Sequence, residues 1–335
     1  MSTQGRKILQ SVLISGSSSG FGANVALALL AAGWRVFASM RDITKGQWLE
    51  TEAVAMGAGE RLSLVALDVT DTASVDCAIA SVLEETGGTL DALFANAGYS
   101  TLGAFEDLSD EDCRQQMETN FFGVLALARH IVPLMRAARR GRIVVVSSNA
   151  VNTPHPLLSI YAASKWALEG WSEAMAVELA PFGVDVRVVQ PGAHRTTFAQ
   201  HVIPIVPEGS AYREWIDTAM PGTADLDRWG NDAEGATGPI VKAIVEDDAP
   251  FHTRIGEDAQ AFYALKGIVP FEVRAWLAQS IAGLPAPSAY SNSVRSATQH
   301  PVMEQVVRRI AEQTVKQVPQ AADIAARLIT AGAGR

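Results

Sequence analysis

The chain is poor in the residues that indicate a disulfide framework, a zinc centre or a membrane span. It contains only two cysteines among 335 residues, Cys77 and Cys113. Their spacing matches no metal motif, so we expect free thiols in a reducing compartment and no bound metal. No apolar run approaches the roughly 20 residues that a bilayer-spanning helix needs, and the N-terminal segment lacks the charged-then-apolar pattern of a signal sequence. These absences predict a soluble, cytoplasmic protein.

Basic residues are also in deficit. Lysine and arginine together number 27 against 36 aspartates and glutamates, which gives a formal net charge of −9. An acidic surface argues against nucleic acid and anionic membranes as partners. By contrast, 48% of the residues are hydrophobic, which is ample for the buried core of one large domain, alone or with an appendage.

Short apolar runs alternate with longer helical patterns through the first half of the chain. The predicted strands are Ser11–Ser15, Arg35–Ser39, Leu62–Leu67, Ala92–Ala95, Arg142–Ser147 and Asp185–Gln190. The predicted helices are Gly22–Ala32, Thr72–Glu85, Ser109–Met135 and Ser159–Ala180. Buried strands that alternate with helices indicate βαβ units with right-handed crossovers. The sequence therefore predicts an α/β fold, a doubly wound parallel sheet with helices on both faces.

The alternation of strands and helices weakens after Pro191. Residues 193–230 mix aromatic side chains with prolines and glycines, and we expect them to form a substrate lid. A helix is predicted next, over Asp232–Glu246. We therefore predict a catalytic domain over residues 1–258.

The rest of the chain, residues 259–335, is predicted to be a helical C-terminal extension. Residues 284–290 have the proline-rich composition of a linker. Apolar residues then recur at helical spacing from Val302 to Val318, and a further helix is predicted over Ala321–Thr330.

The segment from Ser15 to Gly22, SGSSSGFG, separates the first predicted strand from the first predicted helix. Glycines permit a tight turn and let a pyrophosphate approach the backbone, while the helix N-terminus offers free N–H groups and a partial positive charge. By itself the pattern is also compatible with an ordinary turn. The predicted dinucleotide-binding residues of this turn are Gly16, Ser18, Ser19, Gly20, Phe21 and Gly22.

Small or polar residues end four further predicted strands. They are Asp68-Val69, Asn96-Ala97-Gly98, Ser147-Ser148 and Pro191-Gly192. Ligands of open parallel sheets bind outside the carboxyl ends of the strands, so all these residues are expected at one edge together with the glycine turn. The shared edge favours a nucleotide site over a coincidental turn.

Tyr161 and Lys165 have the spacing that places two side chains on one face of a helix. A free tyrosine has a pKa of about 10, and a neighbouring ammonium lowers that pKa by favouring the phenolate. Tyr161 could then exchange a proton with an alcohol or ketone oxygen held by Ser148, while Asn120 organises a proton path to Lys165. Ser147 is the alternative to Ser148, since strand alternation lets only one of them face the site. Taken singly, each motif also has a purely structural explanation.

Together these motifs make the sequence resemble the short-chain dehydrogenase/reductase superfamily over residues 8 to about 258. The segments Val36–Asp42 and Pro250–Gly256 look like the branch that includes hydroxysteroid and retinol dehydrogenases. The resemblance implies a Rossmann-type fold, a nicotinamide cofactor and an Asn–Ser–Tyr–Lys active site. It makes Tyr161 the acid/base and Ser148 the group that positions the substrate oxygen. Lys165 would bind the nicotinamide ribose and lower the tyrosine pKa, and Asn120 would hold a water in a proton relay.

Three residues depart from the family pattern, and one of them is His194, at a place that is usually aliphatic in the loop near the nicotinamide. Ser15 replaces the usual threonine and keeps its hydroxyl, whereas Ala95 replaces an asparagine and removes one hydrogen bond near the adenine side. The motif from Pro191-Gly192 to Thr196 does match, and the resemblance places these residues with the cofactor. It says nothing about residues 259–335.

Met40 occupies the place where NAD-binding members carry an acidic residue that bonds the ribose 2′-hydroxyl. The next residue, Arg41, suits a 2′-phosphate by its charge and fork geometry. Asp42 argues in the other direction, since it could neutralise Arg41 or contact a ribose, and Arg41 could also be a solvated loop cation. We expect NADP(H) in preference to NAD(H).

An apolar and aromatic lining is expected beside the reactive groups. Its candidate residues are Val151, Leu157, His194, Phe198, Tyr212 and Trp215. Such a lining implies a hydrophobic secondary alcohol or ketone as substrate, although the same side chains could instead close the core or a subunit contact. His194 is either a substrate contact or a loop histidine without a role. The resemblance also implies a homo-oligomer, a dimer or a tetramer.

The sequence thus predicts an NADP-dependent carbonyl reductase or alcohol dehydrogenase, with Tyr161 moving the proton and a hydride passing between nicotinamide and substrate. Two alternatives stay open. One is an NAD-linked alcohol dehydrogenase of the same family. The other is a dinucleotide-binding sensor or scaffold that keeps the cofactor site without turnover.

Overall fold

The fold is described by a computed structural model for residues 10–217, 230–268 and 270–281. The strands are β1 (Ser11–Ser15), β2 (Arg35–Met40), β3 (Leu62–Ala66), β4 (Ala92–Ala95), β5 (Ser100–Leu102), β6 (Gly141–Val146), β7 (Val184–Pro191), β8 (His194–Arg195), β9 (Val202–Pro204), β10 (Asn231–Asp232) and β11 (His252–Ile255). The helices are α1 (Gly20–Ala31), α2 (Gln47–Ala55), α3 (Thr72–Thr86), α4 (Asp110–Met117), α5 (Gly123–Ala138), α6 (Ser159–Leu179), α7 (Ala233–Val245), α8 (Glu257–Ile268) and α9 (Phe271–Ile281).

Seven parallel strands form the central sheet, in the order β3-β2-β1-β4-β6-β7-β11. The chain runs from β1 outward to β3, crosses back to β4 on the other side of β1 and continues outward to β11. This reversal opens a crevice between the carboxyl ends of β1 and β4, which is where ligands of such sheets bind. The predicted doubly wound α/β fold is confirmed.

Alternating side chains along the buried strands divide the core into two apolar layers. In β1, Val12 and Ile14 pack with α1, α2 and α7, whereas Leu13 packs with α3, α5 and α6. All three side chains are fully buried. Helices therefore cover both faces of the sheet, and the polar residues that follow the strands gather at its carboxyl edge.

The predicted helix over Ser109–Met135 is interrupted in the structure. A π-helical turn covers Glu118–Phe122 and separates α4 from α5. Such turns insert one extra residue into the helical ladder and occur frequently at functional sites. Periodicity alone does not reveal this turn, because the helical direction continues through it.

One helical segment, Asp110–Ala138, is long and apolar enough to cross a membrane by length and composition. Its apolar residues do not form one continuous run in the sequence, because Arg129 and His130 interrupt them. Val124, Leu127 and Ile131 of this segment are buried in the core against the sheet. Core helices pass the same test, so the segment does not by itself indicate a membrane span.

The structure also contains elements that the sequence analysis did not predict, notably α2 and the edge strand β11. Beyond β11, α8 packs against the segment that follows β6, where the ammonium of Lys266 donates to the backbone oxygen of Val151 at 2.9 Å. The predicted linker at 284–290 and the helical segments after Val302 lie outside the described residues, as does part of the predicted lid, 218–229.

Candidate active site

The glycine turn between β1 and α1 has a backbone that glycine adopts more readily than any other residue. Gly16 and Gly20 have φ angles of +71° and +58°, in the left-handed region. Gly22 has an ordinary φ, but a Cβ at that position would overlap the backbone oxygen of Gly16. The turn is therefore as tight as the sequence predicts.

The N-terminus of α1 is open at the end of this turn. Ser19 is its N-cap, but the Ser19 side chain accepts no capping hydrogen bond, and the first turn of the helix carries no acidic residue. The unpaired N–H groups and the helix dipole therefore present a partial positive charge at the sheet edge. Such an end suits a phosphate group, so the turn fits the pyrophosphate of a dinucleotide.

Asn96 ties the end of β4 to the glycine turn. Its side-chain amide donates to the backbone oxygens of Ser15 at 3.0 Å and Gly16 at 2.8 Å. The Ser15 hydroxyl accepts hydrogen bonds from the backbone N–H groups of Asn96 at 3.0 Å and Ala97 at 3.1 Å. Asn96 and Ser15 thus fix the turn, and their side chains serve the backbone of the cofactor-binding edge.

Arg41 and Asp68 interact electrostatically beyond the ends of β2 and β3. Burial, the largest influence on Asp68, would raise its pKa, but hydrogen bonds from Thr70 and the charge of Arg41 lower it. Asp42 is engaged elsewhere, because its carboxylate accepts hydrogen bonds from the backbone N–H (3.0 Å) and hydroxyl (2.6 Å) of Thr44. Within the described part of the chain Arg41 has no ion pair, so Asp42 does not neutralise it.

The loop that follows β7 crosses the glycine turn. The hydroxyl of Thr197 donates to the hydroxyl of Ser19 at 2.7 Å. Thr196, a predicted cofactor residue, accepts a hydrogen bond from the Phe198 backbone N–H at 3.2 Å and so begins the short turn over Thr197–His201.

Asp258 of α8 fixes the same loop by accepting a hydrogen bond from the backbone N–H of Ala193 at 2.8 Å. The sequence analysis predicted neither Thr197 nor Asp258.

Tyr161 and Ser148 come together as predicted. Tyr161 is 8% exposed in α6, and its phenol interacts with the Ser148 side chain. Burial raises the pKa of Tyr161, and the interaction with Ser148 offsets that rise only in part. The direction is opposite to the lowering that was expected from Lys165, because the loss of water around the phenol disfavours its charged form.

Lys165 lies one turn beyond Tyr161 and is 4% exposed. Its Nζ donates to the backbone oxygen of Val146 at 2.8 Å and lies 5.8 Å from the centroid of the Tyr161 ring. Burial lowers the pKa of Lys165 to about 8, while the charge of Glu169 acts to raise it. At neutral pH the ammonium form is still favoured, so a cation is held beside the phenol.

Asn120 is fully buried in the π-helical turn. Its amide nitrogen donates to the backbone oxygen of Tyr99 at 3.0 Å and to the Ser164 hydroxyl at 3.1 Å. Its amide oxygen accepts from the backbone N–H of Tyr99 at 3.1 Å. Gly98 leaves room for this oxygen, since a Cβ there would lie 3.1 Å from it. Asn120 joins the α4–α5 junction to α6 next to Lys165, and its part in a proton relay stays a prediction.

The structure distinguishes Ser148 from its neighbour Ser147. Ser147 is 2% exposed, its backbone N–H donates to Val189 at 2.8 Å, and its hydroxyl interacts with Glu169 beneath the site. The two serines therefore face in different directions, as strand alternation predicts, and it is Ser148 that reaches Tyr161.

Phe198 is the predicted substrate residue whose ring packs near Tyr161, and Leu157 has an unusual backbone conformation. The ring centroids of Phe198 and Tyr161 are 6.2 Å apart. Leu157 has a φ of +65°, a strained conformation for a bulky residue that is often found at functional sites. Its backbone oxygen accepts a hydrogen bond from Gly103 at 2.9 Å. Val151, by contrast, is 3% exposed and packs inward from the turn after Ser148.

The other predicted substrate residues contact parts of the structure other than Tyr161 in the ring contacts of the described residues. His194 is 6% exposed, packs edge-on against the Phe21 ring at 5.3 Å between centroids and has its Nδ1 2.9 Å from the backbone oxygen of Gly192. It therefore joins the glycine turn to the loop after β7. Tyr212 and Trp215 pack against each other at 5.4 Å, and no ring contact among the described residues connects them to Tyr161.

Comparison with known proteins agrees with this geometry. The family model described as short chain dehydrogenase matches residues 10–204, which is more than half of the chain and includes the glycine turn, Ser148, Tyr161 and Lys165. The chain belongs to the short-chain dehydrogenase family. It is an oxidoreductase of that family.

Two relatives match along most of their length. The 3-ketodihydrosphingosine reductase of Bacteroides thetaiotaomicron is 32% identical over 257 residues, which cover 76% of this chain and 91% of the relative. Retinol dehydrogenase 8 of Bos taurus is 33% identical over 274 residues, which cover 78% of this chain and 86% of the relative.

Two solved structures have the same fold and a similar degree of identity. A short-chain dehydrogenase from Streptomyces avermitilis superposes with a TM-score of 0.67 at 32% identity, covering 77% of this chain and 92% of that one. A metagenomic short-chain oxidoreductase in complex with NADP has a TM-score of 0.52 at 32% identity and covers 54% of this chain and 81% of that one.

Proposed function

We propose that this oxidoreductase interconverts a hydrophobic ketone and the corresponding secondary alcohol with NADP(H), using Tyr161 as the acid/base. The observation that carries the proposal is the proximity of Ser148 and Lys165 to the Tyr161 phenol: the Ser148 side chain interacts with it, and the Lys165 ammonium lies 5.8 Å from the centroid of its ring. The three groups lie at the carboxyl edge of the sheet beside the glycine turn, where a substrate oxygen and a cofactor can meet.

The residues of this edge suit a nicotinamide dinucleotide. The open N-terminus of α1 would hold the pyrophosphate with Thr196 across from it, and Lys165 would bind the nicotinamide ribose. When bound, the dinucleotide supplies or accepts a hydride. The preference for NADP rests on Arg41, whose neighbour Asp42 is engaged by Thr44, and the metagenomic relative in complex with NADP supports it.

Tyr161 holds the proton that the reaction transfers. Burial raises the pKa of its phenol, so Tyr161 stays protonated at neutral pH and can donate to a carbonyl oxygen, which favours the reductive direction. The Ser148 hydroxyl, which interacts with the same phenol, orients that oxygen. After proton transfer the Lys165 ammonium stabilises the phenolate, and the low local dielectric strengthens that interaction.

A hydrophobic substrate is favoured by the side chains next to Tyr161. Phe198 lies beside its ring and is 37% exposed, so its phenyl ring is available to cover an apolar ligand. The names of the two relatives refer to a keto compound and an alcohol, 3-ketodihydrosphingosine and retinol. Both fit the chemistry that Tyr161 and Ser148 can perform.

We further propose that the protein is a homo-oligomer and acts in the cytoplasm on small molecules rather than on nucleic acid. Trp166 and Val177 of α6 are 49% and 77% exposed, which leaves apolar surface on this helix for a subunit contact.

The two alternative functions, an NAD-linked alcohol dehydrogenase and a sensor without turnover, fit the site less well. An NAD-linked alcohol dehydrogenase would need the phenolate as a base, which the raised pKa of Tyr161 disfavours at neutral pH. A sensor without turnover would have no need of Ser148 and Lys165 beside Tyr161.

The test is a spectrophotometric assay of NADPH and NADH consumption with a series of ketones of increasing apolar size. We expect kcat/KM to be higher with NADPH than with NADH and to rise with the apolar size of the ketone. Cofactor binding without consumption by any ketone would support the sensor, and a preference for NADH with alcohol oxidation would support the NAD-linked enzyme.

A further inference from the structure

Glu169 is a buried acid on the same face of α6 as the reactive pair. Tyr161, Lys165 and Glu169 follow one another at intervals of one helical turn, and all three are buried, with Glu169 6% exposed. A carboxylate is almost never buried without partners, because removal from water is costly. Its position therefore calls for a physical explanation beyond packing.

Two side chains from neighbouring strands hold the Glu169 carboxylate. The amide nitrogen of Gln190 in β7 donates to Oε1 at 2.9 Å, and Nε2 of His252 in β11 lies 2.8 Å from Oε2. Burial would raise the pKa of Glu169, but the hydrogen bonds from His252 and Gln190, the nearby Ser147 hydroxyl and the charge of His252 lower it. Glu169 is therefore ionised, and since a carboxylate only accepts, His252 donates from Nε2.

Lys165 needs such an anion nearby. Its one hydrogen bond within the described residues goes to the neutral backbone oxygen of Val146, which does not compensate the loss of water around an ammonium. Burial lowers the pKa of Lys165, and the charge of Glu169 is what opposes that effect. Without the carboxylate, Lys165 would lose its proton at a lower pH.

Glu169 is the anion that acts on Lys165, because its neighbours are uncharged, cationic or exposed to solvent. Gln190 and Ser147 are uncharged. His252 faces Glu169 from β11. Lys266 of α8 interacts electrostatically with both Glu169 and Glu173. The charges of Arg254 in β11 and Arg274 in α9 also act on Lys266. Glu173 is exposed on the next turn of α6, so its charge is screened by solvent.

We propose that Glu169 is a positioning residue of this enzyme: a buried counter-charge, held by Gln190 and His252, that keeps Lys165 protonated so that Tyr161 can release its proton. The role rests on the proposed function, since it acts through Tyr161 and Lys165. Glu169 touches neither substrate nor cofactor.

The first test measures the protonation of Lys165 directly and needs no turnover. Lysine labelled with ¹³C and ¹⁵N is followed by NMR across pH in the wild type, in Glu169→Gln and in Glu173→Gln, with the Lys165 signal assigned by its loss in Lys165→Met. Glutamine keeps the size of Glu169 and can accept from Gln190, but it removes the charge. We expect the Lys165 midpoint to fall by about one pH unit in Glu169→Gln and to stay unchanged in Glu173→Gln.

The second test is the pH profile of kcat/KM for ketone reduction in the same variants. In Glu169→Gln we expect the alkaline limb to shift to lower pH by the same amount as the Lys165 titration midpoint, with NADPH affinity near that of the wild type. In Glu173→Gln the limb should stay at the wild-type pH. If Glu169→Gln does not fold, Glu169→Met, which replaces the acid with an apolar side chain of similar length, must give the same two shifts.

The outcomes separate this inference from the proposed function. An unmoved Lys165 midpoint in a folded Glu169 variant overturns the role of Glu169, even if the wild type reduces ketones well. Absence of turnover in the wild type overturns the proposed function, and the NMR titration still decides whether Glu169 sets the charge of Lys165.

Discussion

The carboxylate of Asp258 lies directly against Gly192, so closely that a Cβ on Gly192 would overlap the carboxylate oxygens. Asp258 also accepts hydrogen bonds from the Ala193 backbone N–H and from the Asn231 side chain, each at 2.8 Å. Helix α8 thereby fixes the loop after β7, which crosses the cofactor-binding turn. The sequence analysis assigned Gly192 to the cofactor, whereas this contact gives a second reason for glycine at that position.

We predict that Gly192→Ala lowers the free energy of unfolding by about 1–3 kcal/mol, because the new methyl group is forced into the carboxylate. Urea denaturation measures the change. In an Asp258→Ala background, Gly192→Ala should lower the free energy of unfolding much less, since the Asp258 carboxylate oxygens that the new methyl group would overlap are absent. Gly235→Ala in α7, where a Cβ meets nothing within 4 Å, is the control and should be neutral or stabilising. An equal loss for Gly192→Ala in both backgrounds would contradict this account.

We predict that Lys165→Met is more stable than the wild type at pH 7. The pKa of Lys165 falls from 10.5 to about 8 in the folded state, so burial of its charge costs up to about 3 kcal/mol below pH 8. The cost disappears as pH rises toward 10.5, because the folded state then loses its proton before the unfolded state does. Urea denaturation at pH 7 and pH 10 should show a gain that shrinks with pH, while exposed Lys45→Met shows none. If Lys165→Met raises the free energy of unfolding equally at pH 7 and pH 10, the gain does not come from removal of a buried charge.

We predict that Arg41→Ala raises KM for NADPH by about 10- to 100-fold, the usual effect of losing a charge-assisted hydrogen bond. KM for NADH should change little, since NADH has no 2′-phosphate, so the second cofactor is an internal control. Steady-state kinetics with both cofactors measure this. A parallel loss with NADPH and NADH would show that Arg41 acts on the fold of the turn rather than on the 2′-phosphate.

We predict that Phe198→Ala raises KM for a bulky apolar ketone roughly fivefold, corresponding to about 1 kcal/mol of lost apolar contact. The value of kcat should change little, because Tyr161, Ser148 and Lys165 keep their positions. A short aliphatic ketone, too small to reach the phenyl ring, should be unaffected. Phe271→Ala removes another exposed ring, in α9, and should leave both substrates unchanged. Loss of kcat for the short ketone would place Phe198 in the reactive machinery instead.

Much of the central sheet could be predicted because strands buried on both faces have continuous apolar sequences. β1 and β4 coincide with the predicted runs Ser11–Ser15 and Ala92–Ala95. β11 could not be predicted in this way, because it is a short edge strand whose His252 and Arg254 are polar. The partner that explains His252 is Glu169, 83 residues earlier in the chain, and such distant pairs leave no local pattern.

The reactive side chains could be predicted because each follows a strand end or shares a helix face. The direction of the Tyr161 pKa could not, since it depends on how completely the surrounding segments exclude water from the phenol. The contacts of the predicted lid could not be predicted from the sequence either. Thr197 meets Ser19 across 178 residues, and His194 packs on Phe21 where the sequence suggested a substrate contact.

The central claim is that Tyr161 transfers the proton, and Tyr161→Phe tests it most directly. The variant removes one hydroxyl from a buried ring and leaves Lys165 hydrogen-bonded to Val146. Single-turnover reduction of a ketone with NADPH should slow by about 10²–10⁴-fold, the usual contribution of a general acid, while the Kd for NADPH stays within about twofold of the wild type. Reduction within tenfold of the wild-type rate, with cofactor binding intact, would contradict the assignment of Tyr161.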